Sequence, residues 1–263
     1  MYEPTKAEVE AAGKWLAKRG VEVARPTPLL ALRLGARRAA RPPGYWAWVV
    51  LVLTVVVLAG GILQFLALWL HLPLGVGYFA AYAGVVVLVW LPVRWADRRA
   101  AAWLGDRRLD VPRPPWRESL DGWYLASVLI TFGGGALLAV AMCVTTSAWV
   151  WAVGWLGMLA IGAAVTAVVL TGVLRRPVLA EDETSLMIDA VVRTEDPYIT
   201  MPALFAFPVL FDVLTSGRQP HEFTPWLVGY VILALVTLLV GRYRQYRRRL
   251  LPAGTYGVAV AVR

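Results

Sequence analysis

The long apolar runs of this chain contain nothing that ionises at neutral pH. Across residues 46–70, 74–93, 122–144 and 148–173 there is no Asp, Glu, Lys or Arg. Proton-driven carriers and intramembrane acid–base enzymes keep an ionisable residue inside the bundle, so its absence argues against both. Cysteine is nearly missing. Cys143 is the sole one, which excludes an internal disulfide and a Cys-based zinc site. Histidine is limited to His71 and His221. There is no P-loop, which excludes ATP hydrolysis of the Walker type. His-Glu-x-x-His and Gly-x-Ser-x-Gly are also absent. No cofactor is expected. The opening 45 residues mix Glu with Lys and Arg and lack a short apolar core before small residues, so no cleavable signal peptide is expected.

What is present is grease and arginine. Hydrophobic residues make up 59% of the chain, charged residues 16%, and mean hydropathy is +0.61. A soluble domain averages about 45–50% apolar and about 25% charged. Thirteen Trp and ten Tyr suit anchoring at membrane interfaces. Each of the four runs is long enough to cross ~30 Å of hydrocarbon. Two later runs are shorter. Residues 199–214 contain Pro202 and Pro208, and residues 226–241 are clean but brief. They become spans if Tyr198, Pro225 and Arg242 sit at the interface. The expected fold is all-α: a polytopic integral membrane helix bundle of about six transmembrane helices. Gly135, Ala139 and Cys143, and the pairs Ala160/Ala164 and Ala163/Ala167, have the four-residue spacing that lets helices approach closely in lipid. The run Gly133-Gly134-Gly135 predicts a kink or a close crossing. Gln64 is read as an interhelical hydrogen-bond partner.

Orientation follows from the basic residues. Of 26, only Lys6, Lys14 and Lys18 are lysine. The two terminal segments and the alternate links at 94–121 and 175–198 hold all of them except Arg218. By the positive-inside rule both termini are cytoplasmic, in a bacterial plasma membrane. The chain then divides into a cytoplasmic amphipathic and basic segment at 1–45, a six-helix transmembrane domain at 46–241 with cytoplasmic loops at 94–121 and 175–198, and a cytoplasmic basic tail at 242–263. The arginines serve topology, and no nucleic-acid partner is expected.

Two cytoplasmic segments have helical patterns. In "PTKAEVEAAGKWLAKRG", Thr5 and Glu8 form a capping box, Val9, Ala12 and Leu16 share a face, and Gly20 stops the helix. It lies either on the membrane surface or on the protein's own loops. In the link between the fourth and fifth runs, Asp182 is a plausible N-cap and Asp189 and Arg193 are spaced i,i+4. Leu186, Met187, Ala190 and Val191 form an apolar stripe. This segment is acidic although the chain carries a net charge of +9. An anionic leaflet repels it, so the stripe is expected to meet protein. The partner is the chain's own tail at 242–249, another copy, or a separate subunit.

The same residues, "RRPVLAEDETSLMIDAVVRTEDP", resemble a loop of poorly characterised actinobacterial polytopic membrane proteins, which are associated with GntR-type regulators and ABC-type export ATPases. The resemblance covers residues 175–197 and transfers no site. It implies a membrane component of an export system. Two functions therefore stand side by side. One is a non-enzymatic membrane component, permease-like or an accessory subunit for transport, whose helix at 182–194 docks an ATPase or regulator. The other is a membrane enzyme or sensor using an outer polar cluster of His71, Asp212, His221 and Glu222, whose ligand types are those of zinc but whose spacing is not helical.

Overall fold

The computed structural model describes residues 3–35, 76–215, 219–247 and 250–259, with positions 37, 54, 58–62, 65–66 and 69 between them. The capping box forms as expected at helix α1 (Lys6–Ala17). Thr5 Oγ1 accepts from the Glu8 amide at 3.3 Å, and the Glu8 carboxylate accepts from the Thr5 amide at 2.8 Å. The helix ends in a Schellman arrangement, with the Val21 amide bonded to the Leu16 carbonyl at 3.2 Å and Gly20 at φ 80°. Strand β1 (Val23–Pro26) follows, then a single helical turn, α2 (Pro28–Leu30), which runs on as a π-helical turn Ala31–Gly35. Gly35 packs so closely on α1 that a Cβ there would collide with the Glu8 backbone.

Three long helices follow: α3 (Val76–Leu104), α4 (Gly122–Thr145) and α5 (Trp149–Leu174). The link after α5 forms α6 (Glu183–Glu195), a short helix α7 (Phe207–Thr215) comes next, and α8 (Thr224–Arg247) is the fourth long one. These four long helices are each long and apolar enough to cross a membrane. Their packing is inverted relative to a water-soluble bundle. Leu129, Leu137, Val144 and Leu239 are exposed, while Ser127, Thr131, Thr166 and Thr237 are buried. Leucine faces outward because lipid solvates it. Of the inward hydroxyls, Thr237 Oγ1 donates to the Leu233 carbonyl at 2.9 Å, whereas those of Ser127, Thr131 and Thr166 have no hydrogen-bond partner among the described residues.

The glycine run produces a specific distortion. Leu129–Gly134 is a π-helical turn inside α4. A π-turn leaves a backbone carbonyl without its normal helical donor. The Tyr230 hydroxyl, from α8, donates to the Thr131 carbonyl at 2.7 Å. Gly135 makes room for it: a Cβ there would lie 2.8 Å from the Tyr230 hydroxyl and 2.8 Å from Leu159. On α5 the buried face is Trp155, Leu159, Gly162, Thr166, Val169 and Val173. Ala160 and Ala164, expected to pack, are exposed instead.

The run at 199–214 is not one continuous helix. A 3-10 turn over Asp196–Ile199 is followed by Met201 at φ 38°, a second 3-10 turn over Pro202–Ala206, and the nine residues of α7. Pro197, Pro202 and Pro208 each withhold an amide, which explains the breaks. The freed carbonyls of Thr200 and Met201 accept from the Tyr82 hydroxyl at 3.1 and 3.2 Å. Phe205 inserts against Gly162, Phe79, Tyr82 and Phe132. The segment is therefore woven into the bundle core. Of the run at 46–70, positions 58–62 are helical and Gly60 lies against Tyr78 of α3. Gln64 and most of that run lie outside the described residues.

The chain ends meet. Strand β2 (Gly257–Ala259) pairs antiparallel with β1. This ribbon is an addition to the all-helical expectation. Residues 250–259, part of the segment read as a basic tail, thus pack with the N-terminal module.

Candidate functional site

Seven charged side chains converge where the arginine-bearing ends of the helices meet. Arg33 comes from the π-turn after α2, and Arg37 lies just beyond it. Asp97 comes from α3, and Arg176 from the turn after α5. Asp189 and Arg193 come from α6, and Asp196 from its end. Arg33 Nη2 donates to Asp189 Oδ1 at 2.7 Å, and Arg193 Nη2 to Asp189 Oδ2 at 2.9 Å. Arg176 Nη1 bridges Asp97 and Asp196, at 2.7 Å to each. Arg37 Nη2 bridges the same two carboxylates at 3.0 Å. Arg33 also donates to the Leu179 carbonyl at 3.0 Å, and Arg193 to the Arg176 carbonyl at 3.0 Å. Arg33, Asp97, Arg176, Asp189, Arg193 and Asp196 are all buried.

The electrostatics follow from this crowding. Burial alone would raise the Asp189 carboxyl. The guanidiniums of Arg33, Arg176 and Arg193 outweigh it and hold the group below the usual carboxylate range. Burial also acts to lower Arg176, but the carboxylates of Asp97, Asp196 and Asp189 prevail and raise it. Arg33 goes the other way. Its burial, reinforced by repulsion from Arg176, lowers it despite Asp97 and Asp189. Four arginines face three aspartates, so the cluster holds one uncompensated positive charge among the described residues. The Nε atoms of Arg33, Arg37 and Arg176, and Nη2 of Arg176, have no hydrogen-bond partner.

Chemically this is a joint. Every carboxylate is engaged by guanidinium, and guanidinium does not exchange protons near neutrality. The cluster fastens the N-terminal segment and α6 to the ends of α3 and α5. Two apolar contacts reinforce it. Ala12, Leu16, Leu30, Ala31, Leu34, Ile188, Val192 and Tyr256 form one cluster, and Leu29, Ala100, Leu104 and Leu179 another. At the rim, Arg19 pairs with Glu195, and Arg99 pairs with Glu8 at 2.7 Å. The tail is tied in as well. Gln245 donates to the Thr194 carbonyl, and Arg242 to the Tyr198 carbonyl at 3.3 Å.

The expected features of α6 are partly recovered. Asp182 caps it, accepting from the Ser185 amide at 2.7 Å. Asp189 and Arg193 do pair, but on the buried face. That face is Thr184, Ser185, Ile188, Asp189, Val192 and Arg193. The stripe of Leu186, Met187, Ala190 and Val191 is turned the other way. Leu186, Met187 and Val191 are half-buried, and Ala190 is exposed. The outer polar cluster is also only partly recovered. His71 lies outside the described residues. Asp212 falls within α7. His221 and Glu222 lie beside the turn at 145–148 and Gln219, around a pocket of about 450 Å³. Among the described residues, no group of three or more His, Cys, Asp or Glu is placed to hold a metal.

No family model, no curated protein and no solved structure matches the chain.

Proposed function

We propose that this chain is a non-enzymatic membrane component, a permease-like or accessory subunit of a transport or export system. It has six spans, the arginine-rich end and both termini face the cytoplasm of a bacterium, and α6 serves as the docking element. One observation carries the reading. The polar face of α6 is wholly used by the chain's own joint, while its second face, Leu186, Met187, Ala190 and Val191, is left half-exposed. Glu181, Asp182 and Glu183 flank that face. A soluble partner with a basic, apolar-centred surface, such as an ATPase or a regulator, is complementary to it. The rigid joint beneath α6 would carry any displacement of the partner into α3 and α5.

Burying Leu186 or Met187 fully contributes roughly 1.5–3 kcal/mol each. Leu186→Asp and Met187→Asp should therefore release a partner ATPase or regulator that co-purifies stoichiometrically with the wild type in mild detergent. Thermal stability of the variants should stay close to the wild type, since neither side chain belongs to the buried face. A wild-type protein that purifies alone at native expression levels, with variants that behave identically, would refute the reading.

A further inference from the structure

A groove of about 640 Å³ opens between α3 and α5 at the arginine-rich end of the bundle. One wall is apolar and includes Trp90, Val93 and Val168. Arg94 and Arg98 of α3, with Arg175 and Arg176 just past α5, line its basic end. We propose that this groove binds an anionic phospholipid, its phosphate held by the arginines and an acyl chain laid along the apolar wall.

Three observations converge on that occupant. First, Arg94, Arg98 and Arg175 are exposed and form no ion pair among the described residues. Second, Arg176 is buried to 8% exposure and its Nε has no hydrogen-bond partner among the described residues, while its Nη2 lies 3.8 Å from Asp189. Guanidiniums such as those of Arg94, Arg98 and Arg175 match a phosphate in bidentate fashion. The joint behind Arg176 carries one positive charge in excess, which an anion at the groove would offset. Asp97 and Asp196 also line the groove. Their carboxylates are already taken by Arg176 at 2.7 Å and Arg37 at 3.0 Å, so they do not repel an incoming anion. Third, the apolar wall gives onto the lipid-facing surface, where Leu91 and Val168 are exposed. A free phosphate would satisfy the arginines and leave that wall in water. A phospholipid satisfies both. Gly172 shapes the wall, because a Cβ there would lie 2.6 Å from the Trp90 ring and 3.2 Å from Arg94. Basic pockets between helices at a membrane interface are suited to anionic headgroups.

The full-length protein, purified in a non-ionic detergent, is titrated separately with phosphatidylglycerol, phosphatidylcholine and inorganic phosphate. Bound lipid is read by native mass spectrometry and stabilisation by thermal shift. Phosphatidylglycerol should bind and stabilise, while phosphatidylcholine and inorganic phosphate should do neither at the same concentration. Arg94→Gln, Arg98→Gln and Arg175→Gln should each weaken phosphatidylglycerol binding about fivefold, and the triple variant on the order of a hundredfold. Val168→Trp, which fills the apolar wall and keeps every arginine, should weaken it as well. Equal binding of phosphatidylcholine, a triple variant that binds like the wild type, or inorganic phosphate that stabilises as well as the lipid would each overturn the assignment.

Discussion

Replacing Asp189 by Ala probes the joint most directly. The carboxylate receives Arg33 at 2.7 Å and Arg193 at 2.9 Å, and Arg176 stands 3.8 Å away. Its removal raises the uncompensated charge of the cluster from one to two while the guanidiniums stay buried. Breaking a buried pair from one side costs about 3–5 kcal/mol, because the remaining charge has lost its compensation. Asp189→Asn keeps an acceptor for one guanidinium and should lie between Asp189→Ala and the wild type. The double variant Arg33→Met with Asp189→Leu returns the excess to one charge and should be less damaging than Asp189→Ala alone, although Arg193 still loses its carboxylate. The readouts are thermal unfolding in detergent and protease sensitivity of residues 3–35, which the joint tethers. The acid response adds a second readout. The Asp189 carboxyl is depressed in the folded state, so its stabilisation is complete above the ordinary carboxylate value of about 3.9 and is lost as pH falls through the lower folded value. The wild-type module should hold at pH 5 and loosen only below about pH 4, and Asp189→Asn should show a smaller acid limb, because Asp97 and Asp196, paired to Arg37 and Arg176, still contribute theirs. An Asp189→Ala variant within about 0.5 kcal/mol of the wild type, the range of an ordinary surface change, would refute the reasoning.

Tyr230→Phe removes the hydroxyl that reaches the Thr131 carbonyl and should cost about 1 kcal/mol in thermal stability, while Gly135→Ala, which crowds the same hydroxyl, should cost about 1–3 kcal/mol. Gly35→Ala should push α1 off the π-turn, read as faster proteolysis at residues 6–17 with the span region intact. In a Cys143→Ala background, a cysteine at exposed Ser147 should label from outside intact cells, and one at exposed Glu183 only after permeabilisation; labelling of the latter from outside would reverse the proposed orientation.

Parts of the structure were legible because they depend on local chemistry. The Thr5/Glu8 capping box, the Gly20 stop and the Asp182 cap each need only neighbours in sequence, and all three formed where expected. The runs at 74–93, 122–144 and 148–173 announced long helices through length and apolarity alone, whereas the brief run at 226–241 becomes a long helix by extending through arginine-bearing residues to Arg247. The buried face of α6 was not legible in the sequence, for a physical reason. Sequence patterning assigns charge to solvent and Leu and Met to the interior. Here Asp189 and Arg193 are buried because Arg33, Asp97 and Arg176 arrive from distant segments to pair them. Nothing within residues 182–195 signals those partners. The same holds for Arg37, which reads as one more topology arginine until Asp97 and Asp196 are seen beside it. The breaks at Pro202 and Pro208 were visible, but not that Tyr82 would supply the missing donors. The β-ribbon was hidden because residues 257–259 gain strand geometry only by pairing with residues 23–26.

That ribbon sets an order of events in the cell. Strand β1 precedes the four long helices in the chain and β2 follows the last of them, so the two strands pair only once everything between them has been made. Tyr256, which fills the cluster of Ala12, Leu16 and Ile188, arrives equally late. The contacts that complete the N-terminal module therefore come from beyond the last of the four long helices, and the module closes only once residues 250–259 are present.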